Sequence, residues 1–396
     1  MVRPAELAIT ASTDRTTQIN VSAQARTVIA SGELYPQLPA LTGLRFFAAL
    51  LVVLVHFGQH LAVPSLIHQL AVSGAQGVSL FFVLSGFILT YTYGRIGGMQ
   101  QSKRQYYIAR LARVYPVYIF GLLLGVGGAL STSTSDVTPV HLSPVIVAIS
   151  TLTLTQAWLP WFHFVWNGPS WSLSAEAVFY LLFPFMCSDI GRLPLERLGR
   201  LLLLCAGVTQ VVPLTYMVIE PDRGLSAAVP FWLDAALFNP LVHLPTFLFG
   251  MLLARLYVLR RSNTISQHHA GLALVAVGAT IAALILSNQL PGMMVRDGLF
   301  VPVFGLLIYA LAWNSGCIAT FLSYRSIILL GEASYALYIL HWPLHYWLCR
   351  IIGTSESQVQ GSTPFFLTYL ALLTGCSIFA LYLIEKPARS AIRRLF

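Results

Sequence analysis

Runs of about twenty apolar residues recur along this chain, and nothing else in the sequence constrains the fold as tightly. Each run is the length an α-helix needs to cross ~30 Å of hydrocarbon at 1.5 Å per residue. They are not the alternating segments of ~10 residues that mark a transmembrane barrel. Of the 396 residues, 57% are hydrophobic and 9% charged, with a mean hydropathy of +0.74, whereas a soluble domain carries roughly 25% charged residues. The predicted fold class is therefore all-α, a polytopic membrane helical bundle with about ten transmembrane helices plus a re-entrant segment. Its first partner is the lipid bilayer.

Spans are expected near 41–62, 74–93, 115–130, 171–187, 201–219, 237–256, 270–286, 299–313, 332–352 and 363–384. The net charge of +9 is almost all arginine, with Lys103 and Lys386 the only lysines. Basic residues gather between runs: Arg95, Lys103, Arg104, Arg110 and Arg113, then Arg192, Arg197 and Arg200, then Arg255, Arg260 and Arg261, and finally Lys386, Arg389, Arg393 and Arg394. If 142–160 crossed the membrane, all the later groups would fall outside. Read as a re-entrant or surface segment, it puts every group inside, in keeping with the positive-inside bias, and leaves both termini cytosolic. Residues 1–40 are polar, rich in Ser, Thr and Ala, and lack the apolar core of a signal peptide, so a disordered cytosolic tail is expected before a single membrane domain at 41–396. No basic patch interleaved with aromatics suggests a nucleic-acid partner. The five cysteines lie singly in or beside apolar runs and read as small core residues. No inverted repeat is visible, which argues against a transporter.

Polar residues interrupt the apolar runs in clusters, and these are the candidates for chemistry. In 41–58, LTGLRFFAALLVVLVHFG, Arg45 and His56 are about three helical turns apart, ~16 Å of rise, and project from nearly one face. One belongs near a membrane surface and the other at depth. An ionisable group at depth is costly and turns toward protein or a wet cavity, so His56 is a candidate functional residue; a structural imidazole bonded to a neighbouring helix is the alternative. In GVSLFFVLSGFILTY, Ser79, Ser85 and Gly86 read first as small residues for close helix packing, with Ser85 also a candidate support for a site. Arg110 and Arg113, at i,i+3 spacing, share a face on which two guanidinium groups can grip a phosphorylated ligand or simply anchor the helix at the membrane surface.

Two further clusters lie later in the chain. In FHFVWNGPSWSLSAEAVFYLLFPF, a turn through Pro169, Ser170 and Trp171 leads into a helix that stacks Ser172, Glu176 and Tyr180 at i,i+4. Counted from the outer end, Glu176 is about one turn deep, where it can act as a general acid/base or as a charge partner for His56; an ion pair with Arg45 is the alternative. In EASYALYILHWPLHYWL, Ser334, Tyr338, His341 and His345 recur along one broad face, with Pro343 expected to kink the helix. His56/His60 and His341/His345 have the i,i+4 spacing of metal pairs, but anionic ligands to complete a site are sparse and no metal is expected.

Taken in order, these motifs resemble the bacterial membrane O-acyltransferases called acyltransferase family 3. The stretches that carry the resemblance are RFFAALLVVLVH, FFVLSGF, RLARVYP, WSLSAEAVFY, PTFLFGMLLA, SYALYILHWP and EKPAR. They run from about Leu41 to Arg389. Thr246 stands where the family often has Glu, and that position is given no role. The resemblance implies transfer of an acyl group, usually acetyl, from acyl-CoA to a hydroxyl of a cell-surface polysaccharide or exopolysaccharide, in the bacterial inner membrane and alongside polysaccharide-biosynthesis proteins. His56 and Glu176 are then the expected catalytic residues. Arg45, Arg110 and Arg113 are the expected binders of the CoA phosphates, with Ser85, Trp171, Ser172, Tyr338 and His341 in support. Acylation of a small hydroxylated molecule or lipid remains open, as does a non-enzymatic glycan flippase. Acceptor specificity is expected to lie in the outer loops 220–234 and 287–297, which carry no readable motif.

Overall fold

The structure, a computed structural model, describes residues 36–95, 98–99, 101–131, 143–162, 165–223, 230–261, 269–296 and 298–395. The expected N-terminal tail lies almost wholly outside the described residues, as do parts of the loops 220–234 and 287–297. Among the described residues the regular structure is helical apart from a short antiparallel ladder, Gly94–Arg95 with Gly98–Met99. Its principal helices are α1 Pro39–Phe57, α2 Ser65–Val72, α3 Gln76–Tyr93, α4 Lys103–Ser131, α5 Pro144–Leu152, α6 Trp171–Arg192, α7 Leu195–Val208, α8 Val211–Ile219, α9 Phe231–Phe238, α10 Leu244–Arg261, α11 His269–Ser287, α12 Val301–Ala312, α13 Arg325–Ile352, α14 Thr363–Ala380 and α15 Lys386–Leu395.

Among the described residues nine stretches are long and apolar enough to cross a membrane, against the ten expected. The difference is α10, whose eighteen residues include Arg255, Arg260 and Arg261. At nine residues, α5 is about 14 Å long and too short to span hydrocarbon, so the segment read as re-entrant does not cross as a helix.

Lipid is as apolar as leucine, so helices in a membrane associate through close packing rather than through hydrophobic burial. Here α1 packs between α3 and α13, α3 lies along α10, and α13 also meets α4 and α14. The buried face of α1, Ala40, Leu41, Gly43, Leu44, Ala48, Ala49, Val52 and Val53, is made of small and medium side chains at three- and four-residue steps. Its neighbours answer with glycine. A Cβ on Gly77 of α3 would overlap the carbonyl oxygen of Ala48, and one on Gly331 of α13 would overlap that of Thr42. The contact is thus backbone against backbone, which fixes the height of every α1 side chain relative to both partners. Of the window in Ser65–Tyr93, 67% is buried, against 11% in Leu195–Ile219, so α3 belongs to the interior and α7–α8 to the periphery.

Candidate active site

Because α1 is held rigidly on both sides, Arg45 and His56 are displayed at two fixed levels of the bundle, and each level opens into a cavity. The first, a cavity of about 120 Å³, is lined by Arg45, Arg110, Arg113, Ser85, Ser172, Glu176, Tyr180, Ser334 and Tyr335 among others. The second, of about 240 Å³, is lined by His56, Gln59, Ser79, Trp171, His243, Arg296 and Trp342 among others. Val78, Phe82 and Tyr338 line both, so the two spaces meet across a shared wall.

In the arginine cavity, the expected stack on α6 is present. The Tyr180 hydroxyl donates to Glu176 Oε2 at 2.6 Å, and Ser85 on α3 lies within hydrogen-bonding reach of Tyr180. The Glu176 carboxylate is within electrostatic range of Arg45, Arg110 and Arg113. Arg110 Nη2 donates to the Tyr93 hydroxyl at 2.8 Å, and its guanidinium lies over the rings of Tyr93, Tyr106 and Tyr180. Arg113 forms an ion pair with Glu385, a fully buried carboxylate that also pairs with Arg389 at 3.4 Å. Glu385 closes a π-helical turn, Leu381–Glu385, between α14 and α15. The extra residue of such a turn re-aims the side chains that follow it, a device frequent at functional sites.

In the histidine cavity, His56 Nδ1 lies 2.8 Å from the Val52 carbonyl and 3.3 Å from His341 Nε2. A carbonyl can only accept, so His56 Nδ1 carries a proton. By the same logic His341 Nδ1 donates to the Tyr338 carbonyl, which leaves His341 Nε2 as the acceptor facing His56. The hydrogen-bond pattern therefore assigns both tautomers, and the lone pair of His56 is on Nε2. The imidazole is accessible from the cavity and meets the Trp342 ring edge-on at 5.8 Å. His341 is fully buried behind it and lines neither cavity. The α13 helix runs through Pro343 without interruption, and His345 stacks on Phe57 at 3.8 Å and does not line the histidine cavity. Among the described residues no three His, Cys, Asp or Glu side chains converge on a metal-sized site.

One expectation is corrected. Glu176 and His56 do not meet: Glu176 lines the arginine cavity and His56 the other. The reason lies in how α6 begins. Gly168, Pro169 and Ser170 form a buried 3₁₀ turn that starts inside the bundle, pinned by Asn167 Nδ2 donating to the Ile339 carbonyl at 3.1 Å. Gly168, Pro169 and Trp171 thus line the histidine cavity with His56, and Glu176, five residues and ~7.5 Å further along the helix, lines the arginine cavity instead. At the join, Tyr338 on α13 bonds Ser172 at 2.8 Å and donates to the Pro169 carbonyl at 2.9 Å. Trp171 faces the histidine cavity. Sequence reasoning missed Glu385, Gln59, His243, Arg296 and Trp342. Glu385 and Trp342 were legible as the first residue of EKPAR and the neighbour of His341; the others come from stretches with no motif.

Comparison with known proteins follows the same lines. The family model described as the acyltransferase domain of acyltransferase family 3 matches residues 38–383. Acyltransferase MdmB of Streptomyces mycarofaciens is 30% identical over 332 residues, covering 80% of this chain and 81% of its own. The putative peptidoglycan O-acetyltransferase YrhL of Bacillus subtilis is 27% identical over 396 residues, covering 91% of this chain and 56% of its own. The O-acetyltransferase OatA of Staphylococcus aureus is 25% identical over 359 residues, covering 85% and 54%. The chain thus spans about half the length of the last two. No solved structure matches it.

Proposed function

The chain belongs to the acyltransferase family whose domain model spans it, as a multi-pass membrane O-acyltransferase, and from that premise we propose that it moves an acyl group, acetyl in the first instance, from acyl-CoA to a hydroxyl of a cell-surface polysaccharide. The observation that carries the reading is the pair of cavities that share Val78, Phe82 and Tyr338, one lined by three arginines and the other by His56.

Acyl transfer to a hydroxyl needs a cationic grip on the donor's phosphates, a narrow path for its thioester arm, and a base where donor and acceptor meet. Arg45, Arg110 and Arg113 supply the grip on the side where basic residues place the cytosol. Glu176 and Glu385 hold these guanidinium groups apart against their mutual repulsion, so Glu176 acts as a positioning residue. The pantetheine arm passes the shared wall beside Tyr338 and brings the thioester to His56. There His56 Nε2 takes the proton of the acceptor hydroxyl as its oxygen attacks the thioester carbonyl. The C–S bond breaks, the acceptor ester forms, and the departing CoA thiolate recovers the proton from Nε2. His341 and Val52 keep Nδ1 protonated, which leaves Nε2 free to act. The bacterial inner membrane, with both termini cytosolic, is the setting this route requires.

Labelled acetyl-CoA offered to membranes from cells with and without the protein tests the reading. Label should move to extractable polysaccharide, and His56→Ala should reduce the rate by ~10²–10⁴-fold, the usual contribution of a general base, with donor affinity kept. Label on a small hydroxylated molecule or lipid instead would redirect the acceptor, and transfer at the wild-type rate by folded His56→Ala would end the mechanism.

A further inference from the structure

Among the described residues that line it, the histidine cavity holds an arginine and no carboxylate. Its described walls are aliphatic and aromatic, with Gln59, Ser79, His56, His243 and Tyr338 as further polar side chains and no described aspartate or glutamate. This distinguishes it from the arginine cavity, where Glu176 faces the cations.

Arg296 ends the short helix Gly292–Arg296. Its backbone carbonyl accepts the Ser79 hydroxyl at 3.3 Å, which ties that helix end to α3. The side chain is exposed and lies within electrostatic range of His56. Among the described residues its guanidinium has no ion pair or hydrogen bond. A permanent cation in a partly enclosed cavity, near the imidazole and with no counter-charge among the described residues, is an anchor for an anion supplied from outside. The planar fork of arginine matches carboxylate and phosphate oxygens two at a time. Trp171, Phe238 and Trp342 offer flat apolar faces in the same cavity, and binding sites commonly combine such faces with a few placed polar groups.

We propose that the histidine cavity selects an anionic saccharide as acceptor, with Arg296 holding a carboxylate or phosphate of the sugar while a neighbouring hydroxyl meets His56 Nε2. The inference rests on the acyl-transfer reading for the identity of the reaction and adds the charge class of the acceptor. Arg296 is a specificity-determining residue here and takes no part in the bond changes.

Calorimetric titration of the full chain in nanodiscs, using cellotetraose, its C6-carboxylated form and its C6-phosphorylated form as probes, tests the proposal. At low salt either or both anionic forms should bind at least about tenfold tighter than cellotetraose, and the margin should shrink as salt screens the pair. Which anionic form leads distinguishes carboxylate from phosphate. Arg296→Gln should erase the preference without weakening cellotetraose, and Arg296→Lys should keep part of it. Equal affinity for the three probes, binding of none, or a preference that survives Arg296→Gln overturns the proposal. Acyl transfer without an anionic preference removes this inference alone; an anionic preference in a protein that transfers no acyl group removes the acyl-transfer reading alone.

Discussion

Replacing Gly86 by alanine tests the packing that holds both cavities open. Gly86 on α3 faces the backbone of α10: a Cβ there would overlap the Phe247 carbonyl oxygen and sit 3.0 Å from Met251 N and 3.1 Å from the Phe247 carbonyl carbon. Gly250 on α10 makes the reciprocal contact, overlapping the Val83 carbonyl oxygen and lying 3.0 Å from Phe87 N. All these atoms are helical backbone, so no rotamer change relieves them and the helices must part by roughly 1 Å to restore ordinary contact distances near 3.5 Å. Overpacking costs typically 1–3 kcal/mol, and backbone obstruction puts each site at about 3 kcal/mol. Alanine recovers about 1 kcal/mol of helix propensity, leaving a net loss of about 2 kcal/mol. The two sites share one interface, so the double variant should lose less than the sum. Gly278 on α11 has nothing within 4 Å of where a methyl group would stand and serves as the control, where alanine should stabilise by up to about 1 kcal/mol. Cys187 is buried and packs in the core with Phe247, so its reaction with a maleimide dye on heating reports unfolding. The expected result is a melting midpoint several degrees lower for Gly86→Ala and Gly250→Ala and no lower for Gly278→Ala. A Gly86→Ala midpoint at or above wild type would refute the backbone contact.

Three further outcomes are expected. Asp234 is buried in α9, where loss of solvation pushes its carboxyl up to about 6 although the Trp161 N–H donates to it at 2.9 Å. The folded state then holds a proton that the unfolded state has released between about pH 4 and 6, so stability should fall as pH rises through that window by up to about 3 kcal/mol. Asp234→Asn should flatten the slope in thermal melts; an unchanged slope counts against it. Glu385→Gln leaves Arg113 and Arg389 without their shared carboxylate, so it should destabilise the bundle by about 3 kcal/mol and weaken acetyl-CoA binding in a titration, whereas Lys386→Gln, which removes a half-exposed pair with Glu332, should change stability by less than about 1 kcal/mol. His341→Ala removes one of the two acceptors on His56 Nδ1 and should lower the turnover rate by about tenfold, the worth of roughly one hydrogen bond, with acetyl-CoA affinity retained; equal loss of both would assign His341 to stability instead.

The sequence by itself determined that the chain is a membrane helical bundle, because length and apolarity of a run are local properties and lipid leaves the backbone no other choice. It also determined that Arg45 and His56 occupy one face of one helix, since 3.6 residues per turn is geometry, and that Ser172, Glu176 and Tyr180 stack. The ordered motifs were enough to mark the acyltransferase family. What the tertiary structure alone decided was depth and partnership. Counting from the membrane surface places Glu176 near the histidine, yet α6 starts from a buried turn, and the carboxylate lines the arginine cavity instead. Glu385 was visible in EKPAR, but only the π turn aims it at Arg113. Arg296 had no sequence signal at all: it is brought to His56 by a short helix more than two hundred residues away, tied to α3 by Ser79. Local periodicity encodes which face a residue occupies; which neighbour waits at that height is set by where glycines let the helices touch.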